Sequence, residues 1–430
     1  GAQFSGAIFS DGTVGANLSN TQGTGANLTI GSWVGGMLEG VNLIGVNLSG
    51  LFVPQIDSLT VSETTIFSNG EVGANFSGIG GARLTGNLST NVDFRGVVIS
   101  GLDLSTHDLS EARFDATTVF SDGTNGVNLS GTNANLSNMG LDGVDFSGVN
   151  LTGVNLSESY FQGNGFNGTV FSDGTIGANL SNTQGTGVFI TGNWGGGNME
   201  GVNLTGVTLT TEAITVSENT VFSNGTVGAY LWGNAISGTL ASDVDFRGVT
   251  LSNVDLSAFN LSEARFDGTT VFSDGTNGVN LAGTNANLSN MNLSNVDFRG
   301  ANLTGVNLSE SNLQGAQFDG AVFSDGTIGA NLSNTQGTHG DQPGAWLVNN
   351  WGGGNMEGVN LTGVTLTTET ISVSENTVFS NGTVGAYLWG NTISGTLASD
   401  VDFRGVTLTG VDLSAFDLSE ARLDGTTVFS

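Results

Sequence analysis

Residues 286–323 read ANLSNMNLSNVDFRGANLTGVNLSESNLQGAQFDGAVF, and Leu or Phe occupies every fifth position of this run. A period of five matches neither the helical period of an amphipathic helix nor the two-residue alternation of an ordinary strand. If every fifth side chain points inward, each five-residue step must turn the chain by a fixed corner. A small residue usually lies two positions before the Leu or Phe, which allows neighbouring coils to approach closely. The run therefore predicts a coiled chain with an apolar column inside.

Two longer periods are superimposed on this column. The phrase F-S-[DN]-G recurs eight times, mostly 50 to 53 residues apart. Three such intervals make a long unit, which starts at Gly1 and again at Gly163 and Gly315. Because repeated units that share a core stack on their neighbours, we expect one continuous solenoid over residues 1–430. Its long units are 1–162, 163–314 and the truncated 315–430.

The five-residue pattern has the form A-[DN]-L-x-x. It is seen at Ala16–Asn20, Ala178–Asn182 and Ala301–Gly305, and it resembles the pentapeptide-repeat proteins. The resemblance covers most of the chain, since dozens of steps share the same columns. It implies an all-β fold, a right-handed quadrilateral β-helix with four pentapeptides in each coil.

Each F-S-[DN]-G phrase interrupts the five-residue register, and Asp-Gly or Asn-Gly is a strong turn signal. We therefore expect periodic turn insertions at corners of the coil. If the 51-residue interval spans two and a half coils, successive turns alternate between opposite faces. If each turn bulges out of the coil, the turns align on one face. The spacing leaves both arrangements open. The turns are Asp11-Gly12, Asn69-Gly70, Asp122-Gly123, Asp173-Gly174, Asn224-Gly225, Asp274-Gly275, Asp325-Gly326 and Asn381-Gly382.

The composition argues against several classes of partner. The formal net charge is −30, and Lys and Arg together number only eight, too few cations to bind nucleic acid or an anionic membrane surface. No apolar run approaches the roughly 20 residues of a membrane-spanning helix, and the given chain shows no signal peptide. The absence of Cys removes disulfides and thiolate chemistry. We expect neither nucleic acid nor membrane insertion.

Residues suited to catalysis are scarce. His107 and His339 are the only imidazoles, and neither recurs in the other long units. We therefore expect no catalytic site and no cofactor, with Ca²⁺ as the one chemical alternative, because the Asp-Gly turns gather oxygen ligands. Three of the eight turns carry Asn instead, which lowers ligand charge, and a plain turn stabilised by the Asp or Asn side chain competes with a metal site. The Ca²⁺ candidates are Asp11, Asp122, Asp173, Asp274 and Asp325.

Two aromatic pairs are candidates for contact with a partner. Tyr230 and Trp232 flank the column residue Leu231, and Tyr387 and Trp389 flank the equivalent Leu388. Residues on either side of an inward-pointing residue point outward in a strand. Exposed aromatic rings bury a large area at low entropic cost when they bind a partner. Packing against a loop is the alternative.

Near identity between distant copies suggests a structural role. Residues 221–273 and 378–430 differ at only five positions, and neither end of the chain resembles a capping unit. We therefore expect self-association end to end, with lateral association as a further option. The leading hypothesis is a non-enzymatic structural fibre or rod that is extracellular or at the cell surface. A DNA-mimicking protein that binds DNA gyrase, which the resemblance implies for some members, and a calcium-dependent adhesin are the alternatives.

Overall fold

The computed structural model is built from coils of backbone that stack on one another through parallel β-bridges. These coils belong to two units, Gly1–Val221 and Phe222–Ser430, here called the first and the second unit. The division of the sequence into three long units stays a prediction. The structure describes residues 8–11, 14–19, 26–27, 38–48, 58–77, 83–162, 164–183, 198–210, 213–336, 338–339, 342–343, 346–347, 354–367 and 370–430.

Four faces of five residues make one uninterrupted coil. In the second unit, Asn292 pairs with Asn312 and Asp297 pairs with Gln317, each partner lying 20 residues further along the chain. Consecutive bridges are five residues apart, so each five-residue step supplies one face. The first unit shows the same offset between partners. The predicted β-solenoid with four pentapeptides in each coil is confirmed.

Most faces contribute isolated bridges, and longer strands of two to four residues form only in places. All the pairs described within a unit are parallel except β10 with β11. The first unit contains β1 (Ala26–Asn27), β2 (Val46–Asn47), β3 (Ser58–Val61), β4 (Arg83–Gly86), β5 (Thr208–Thr210) and β6 (Ala213–Val216). The second unit contains β7 (Tyr230–Trp232), β8 (Ala235–Gly238), β9 (Thr250–Ser252), β10 (Thr338–His339), β11 (Gln342–Pro343), β12 (Trp346–Leu347), β13 (Thr365–Thr367), β14 (Thr370–Val373), β15 (Tyr387–Trp389), β16 (Thr392–Gly395), β17 (Thr407–Thr409) and β18 (Val428–Phe429).

The predicted apolar column forms the core. Every Leu and Phe of the five-residue series from Leu288 to Phe323 is at most 7% exposed. Phe rings stack from coil to coil, as Phe298 does against Phe272 at 4.9 Å and against Phe318 at 5.3 Å between ring centroids. Burial of apolar surface contributes about 25 cal/mol per Å², and such ring pairs add about 0.5–1.5 kcal/mol.

The other positions of the pentapeptide form the corners. The side-chain oxygen of Asn302, one position before the column residue Leu303, accepts a hydrogen bond from the backbone N–H of Thr304 at 3.2 Å. Gly305 then adopts a φ of 75°, a left-handed conformation that Gly and Asn tolerate best. Gly or Asn fills this position at most of the corners with positive φ. The pattern A-[DN]-L-x-[GN] is therefore a corner pattern as well as a core pattern.

The F-S-[DN]-G phrases form hairpins that leave the coil. In each described copy the Ser forms an antiparallel bridge with the Gly five residues later, as Ser273 does with Gly278. The first Gly of the hairpin has a strongly positive φ, 100° at Gly275, so a side chain at this position would strain the backbone. The predicted turn insertions at corners are confirmed. The hairpins span 10–15, 68–73, 121–126, 172–177, 223–228, 273–278, 324–329 and 380–385.

Successive hairpins advance around the coil by one face. In the second unit, hairpin 273–278 follows Val271, which stacks on Thr250, and precedes Asn280, which stacks on Asp255. Thr250 and Asp255 are five residues apart, and therefore lie on adjacent faces. The same step recurs from Asn302 to Asn307 at hairpin 324–329, from Asn360 to Thr365 at 380–385, from Val98 to Asp103 at 121–126, and from Asn150 to Asn155 at 172–177.

Both arrangements considered from the sequence are therefore wrong. The turns neither align on one face nor alternate between opposite faces. The reason is that part of each hairpin loops out of the coil: Asn280 lies nine positions after Val271, but their partners Asp255 and Thr250 lie only five positions apart. One hairpin interval corresponds to two and a quarter coils. Within each unit, four hairpins lie on four successive faces.

Candidate functional site

The hairpins use their Asp or Asn side chains to hold their own backbone. In hairpin 121–126, Asp122 Oδ1 accepts hydrogen bonds from the backbone N–H groups of Thr124 at 3.0 Å and Asn125 at 2.7 Å. These donors, the Asn125 backbone N–H first, lower the pKa of Asp122 to about 2. The carboxylate is therefore ionised at neutral pH and is already engaged within the turn.

The other Ca²⁺ candidates behave in the same way. Asp173 and Asp325 each accept the backbone N–H groups two and three residues later, and these bonds lower the pKa of both side chains. Asp11 Oδ1 accepts the Val14 N–H at 2.7 Å. The five candidates lie on five separate hairpins. Within the described residues, no three His, Cys, Asp or Glu side chains cluster closely enough to hold a metal ion. Calcium binding stays a prediction.

A serine fixes each hairpin to the next coil. Ser273 Oγ donates to the carbonyl oxygen of Arg299 at 2.6 Å and accepts from the Gly275 N–H at 3.0 Å. The same pair of bonds forms at hairpin 380–385, where Ser380 Oγ donates to the Arg404 carbonyl at 2.5 Å. Sequence analysis missed these serines, although Ser occupies this position in every copy of the phrase.

The side chain beneath each hairpin varies. A Cβ atom built on Gly275 would lie 2.8 Å from the Arg299 guanidinium, and one built on Gly174 would lie 3.0 Å from a Glu200 carboxylate oxygen. Arg likewise underlies all three Asn hairpins, as Arg247 underlies Gly225. An Asn hairpin is thus always paired with a cation below it, whereas Asp hairpins cover either sign of charge.

The arginines are engaged as well. Arg299 binds Asp297 with its Nη2 at 2.7 Å, and Arg247 binds Asp245 in the same way at 2.6 Å. Seven arginines form such ion pairs in the described part of the chain. Exposed pairs of this kind contribute little to stability, because solvent screens the two charges. Their more direct effect is to neutralise part of the acidic surface at regular intervals.

The aromatic candidates lie on β7 and β15, with the buried Leu231 and Leu388 between them. Trp232 is partly buried, and its indole Nε1–H donates to Asp274 Oδ2 at 2.9 Å. The structure thus joins an aromatic candidate to a Ca²⁺ candidate. This indole bond is the largest cause of a pKa for Asp274 well below the ordinary value.

The second aromatic pair has a different setting. Trp389 is 50% exposed and Tyr387 is partly buried. In the described residues we see no acceptor for the Trp389 indole N–H. Tyr230 is 41% exposed. A contact role for the four aromatic residues stays a prediction, but Trp232 already has a structural role as a brace for hairpin 273–278.

The two histidines are not part of a described cluster. His107 is 7% exposed, and its Nε2 lies 2.8 Å from the Leu84 carbonyl oxygen, which is the contact of a satisfied buried imidazole. The side chain of His339 lies outside the described residues. Among the described residues, none belongs to a helix long and apolar enough to cross a membrane.

Comparison with known proteins agrees with this architecture. The family model for pentapeptide repeats matches eight copies, within residues 132–168, 228–271, 277–308, 286–325 and 385–427. No curated protein matches the chain in sequence.

Two solved structures are similar. One is HetL, a pentapeptide repeat protein involved in heterocyst differentiation regulation from the cyanobacterium Nostoc sp. strain PCC 7120, with 16% identity, coverage of 69% of this chain and 90% of HetL, and a TM-score of 0.19. The other is QnrB1, a plasmid-mediated fluoroquinolone resistance protein, with 18% identity, coverage of 53% and 93%, and a TM-score of 0.17. These TM-scores are too low to argue from. The residues matched by the family model and the stacked five-residue faces agree, and the chain contains pentapeptide repeats.

Proposed function

We propose that this chain is a non-enzymatic structural repeat protein, an extracellular or cell-surface rod that extends or polymerises end to end. The observation that carries the proposal is the uniformity of the hairpins. Ser273, for example, makes the same two hydrogen bonds as Ser380 on another face. A binding or catalytic site usually concentrates unusual residues in one place, whereas here the same construction is repeated on face after face.

The advance of the hairpins by one face supports growth along the coil axis. A partner that recognised one hairpin would meet the next hairpin on a different side of the same unit. Lateral contacts made through hairpins would then point in four directions. A solenoid that lengthens by adding coils reuses the same parallel bridges at every step, so extension along the axis requires no new surface.

The gyrase-binding alternative requires a continuous acidic face that imitates a DNA duplex. The ion pairs of Arg247 and Arg299 with Asp245 and Asp297 interrupt the acidic residues along the second unit. Many outward positions next to the column carry neutral Asn instead of Asp, among them Asn280 and Asn302, which pair with each other. Both features favour the structural proposal over mimicry.

Electron microscopy of the purified chain, with and without a calcium chelator, tests the proposal. We expect fibres that survive chelation. Discrete particles under both conditions would overturn the rod hypothesis, and competition with duplex DNA for gyrase would then be measured. Fibres that dissolve on chelation would indicate Ca²⁺ at the Asp hairpins.

A matched variant identifies the metal site in that last case. Asp122→Asn, Asp173→Asn and Asp325→Asn convert three hairpins to the Asn form that the chain already uses at Asn224. If these hairpins bind Ca²⁺, the triple variant loses part of its response to the chelator, because Asp11 and Asp274 remain, and it keeps the coil intact. An unchanged response would show that the metal does not bind at these three hairpins.

A further inference from the structure

Three hairpins carry Asn-Gly in place of Asp-Gly, at Asn69, Asn224 and Asn381. All three Asn residues are exposed. Because the following Gly has no Cβ, its backbone nitrogen can approach the Asn side chain more freely than that of any other residue. We propose that these three hairpins are sites of spontaneous deamidation, that Asn69 reacts first among the three, and that the hairpin retains the aspartate product.

The reaction needs only water as a co-reactant. The backbone nitrogen of the Gly attacks the side-chain carbonyl carbon of the Asn, a C–N bond forms, and the C–NH2 bond breaks. The departing nitrogen takes the proton from the backbone N–H and leaves as ammonia. Water then opens the resulting cyclic imide and produces aspartate, or isoaspartate if the other carbonyl is attacked. No group is oxidised or reduced.

The folded hairpin restrains the atoms that must react. In hairpin 223–228, the Gly225 N–H donates to Ser223 Oγ at 2.9 Å. The Asn224 side-chain oxygen accepts from the N–H and the hydroxyl of Thr226, at 3.0 and 2.9 Å, and from the N–H of Val227 at 2.9 Å. The attack requires the side chain to rotate and the Gly nitrogen to be released, so these bonds must open first.

Asn381 is held by the same bonds, but Asn69 is not. The Asn381 side-chain oxygen accepts from both the N–H and the hydroxyl of Thr383. In hairpin 68–73, Glu71 replaces this Thr, and within the described part of the chain the Asn69 oxygen accepts only the N–H groups of Glu71 and Val72, at 3.0 and 2.8 Å. One hydrogen bond fewer corresponds to an opening equilibrium about fivefold more favourable.

The hairpin already accommodates the aspartate product elsewhere. Asp274 stands above Arg299 and accepts the backbone N–H groups of Thr276 and Asn277. Aspartate at position 224 would meet the same backbone donors, with Arg247 beneath it. Isoaspartate would instead add an atom to the backbone of a hairpin closed by a tight antiparallel bridge, and the fold therefore selects aspartate.

Peptide mapping by mass spectrometry of the full chain, incubated at mildly alkaline pH, measures the three rates. Each rate is divided by the rate at the same site in urea-unfolded chain, which removes the effect of the local sequence. We expect the normalised rate at Asn69 to be about fivefold higher than at Asn224 and Asn381. Equal normalised rates, or reaction in the unfolded chain alone, would overturn the proposal.

Two variants separate the hydroxyl bond from other causes. Thr226→Glu removes the hydroxyl at Asn224 and should raise the normalised rate there about fivefold, while Asn381 in the same molecule serves as the control. Glu71→Thr should slow Asn69 by a similar factor. An unchanged rate in both variants contradicts the role given to the hydroxyl.

Retention of the product has its own test. Fragmentation that distinguishes aspartate from isoaspartate should show aspartate as the main product in the folded chain. The triple variant Asn69→Asp, Asn224→Asp and Asn381→Asp should melt at the temperature of the original chain or above it. Isoaspartate as the main product, or a clearly lower melting temperature, would show that the hairpin does not retain the product.

Discussion

The strands β7 and β15 carry the same three residues, Tyr-Leu-Trp, yet the two tryptophans lie in different surroundings. Trp232 donates its indole N–H to Asp274 and is partly buried, whereas Trp389 is half exposed. Their strand neighbours are nearly the same, since β7 pairs with Thr250–Ser252 and β15 pairs with Thr407–Thr409.

Asp274 lies in a hairpin 42 residues after Trp232, whereas the position 42 residues after Trp389 would follow Ser430, the last residue of the sequence. Hairpin 273–278 follows Val271, which stacks on Thr250 of the strand beside β7, and so brings Asp274 within reach of Trp232. The two tryptophans therefore compare the same strand with and without the hairpin that follows it. The role of each aromatic residue depends on what a later coil places beside it.

The largest expected effect lies in the core below the two strands. Phe246 packs between Phe222 and Phe266, each at 5.5 Å between ring centroids, whereas its counterpart Phe403 packs against Phe379 at 5.4 Å. Phe246→Ala should lower the free energy of unfolding by about 3–5 kcal/mol. Chemical denaturation followed by local hydrogen exchange measures it. Phe403→Ala is the matched variant and should cost less, and an equal cost would show that the second ring neighbour adds nothing.

Removal of the hairpin anchor should affect both regions equally. Ser273→Ala and Ser380→Ala each leave a backbone carbonyl and a Gly N–H without the hydroxyl, and the expected cost is about 1–3 kcal/mol in each case. Hydrogen exchange at the hairpin amides reports the loss. A large difference between the two variants would mean that the hairpins differ in more than the Trp brace.

The brace itself should contribute less. Trp232→Phe removes the indole donor to Asp274 and should cost about 1 kcal/mol, since hydrogen bonds to charged groups contribute about 1.5–3 kcal/mol and solvent exposure reduces this value. Trp389→Phe should change stability by less than about 0.5 kcal/mol. A double-mutant cycle with Asp274→Asn isolates the bond. A coupling energy near zero would contradict the brace.

The smallest effect concerns protonation. The pKa of Asp274 is lowered first by the Trp232 indole and then by the Asn277 backbone N–H. A lowered folded-state pKa means that the stabilisation is complete above the unfolded value of about 3.9 and is lost as the pH falls through the folded value. Trp232→Phe should raise the pKa of Asp274 in an NMR titration. Asp122, in a hairpin of the same sequence, should keep its pKa of about 2.

Sequence analysis predicts the parts of this fold that repeat locally. The column from Leu288 to Phe323 is buried as expected, and the Asp-Gly and Asn-Gly phrases form turns. These features depend on the nearest residues: an inward side chain, an Asn or Asp that holds the next corner, and a Gly that tolerates positive φ.

The features that the sequence does not predict depend on how many residues belong to the coil and how many loop out of it. The bond from Trp232 to Asp274 requires knowing how many residues between them loop out of the coil, and the same number decides the face on which each hairpin stands. The five-residue period cannot supply this number, because the nine positions from Val271 to Asn280 could be divided between loop and face in several ways. Ser occupies the same position in every copy of the hairpin phrase. The backbone carbonyl groups that accept its hydrogen bonds lie in the next coil, so the phrase alone does not predict them.

Because successive hairpins advance by one face, the number of hairpin intervals between two features sets the angle between them around the coil axis. A duplication that adds one hairpin interval also rotates everything after it by a quarter turn relative to everything before it within the same stack. Only a gain or loss of four intervals, which makes a full turn, restores the original orientation of the later residues around the coil axis. The internal copies of this sequence recur every three intervals. Successive copies of one motif in a stack therefore lie on different faces of the coil. A change in length by duplication thus alters the direction in which surface features point as well as the length of the stack.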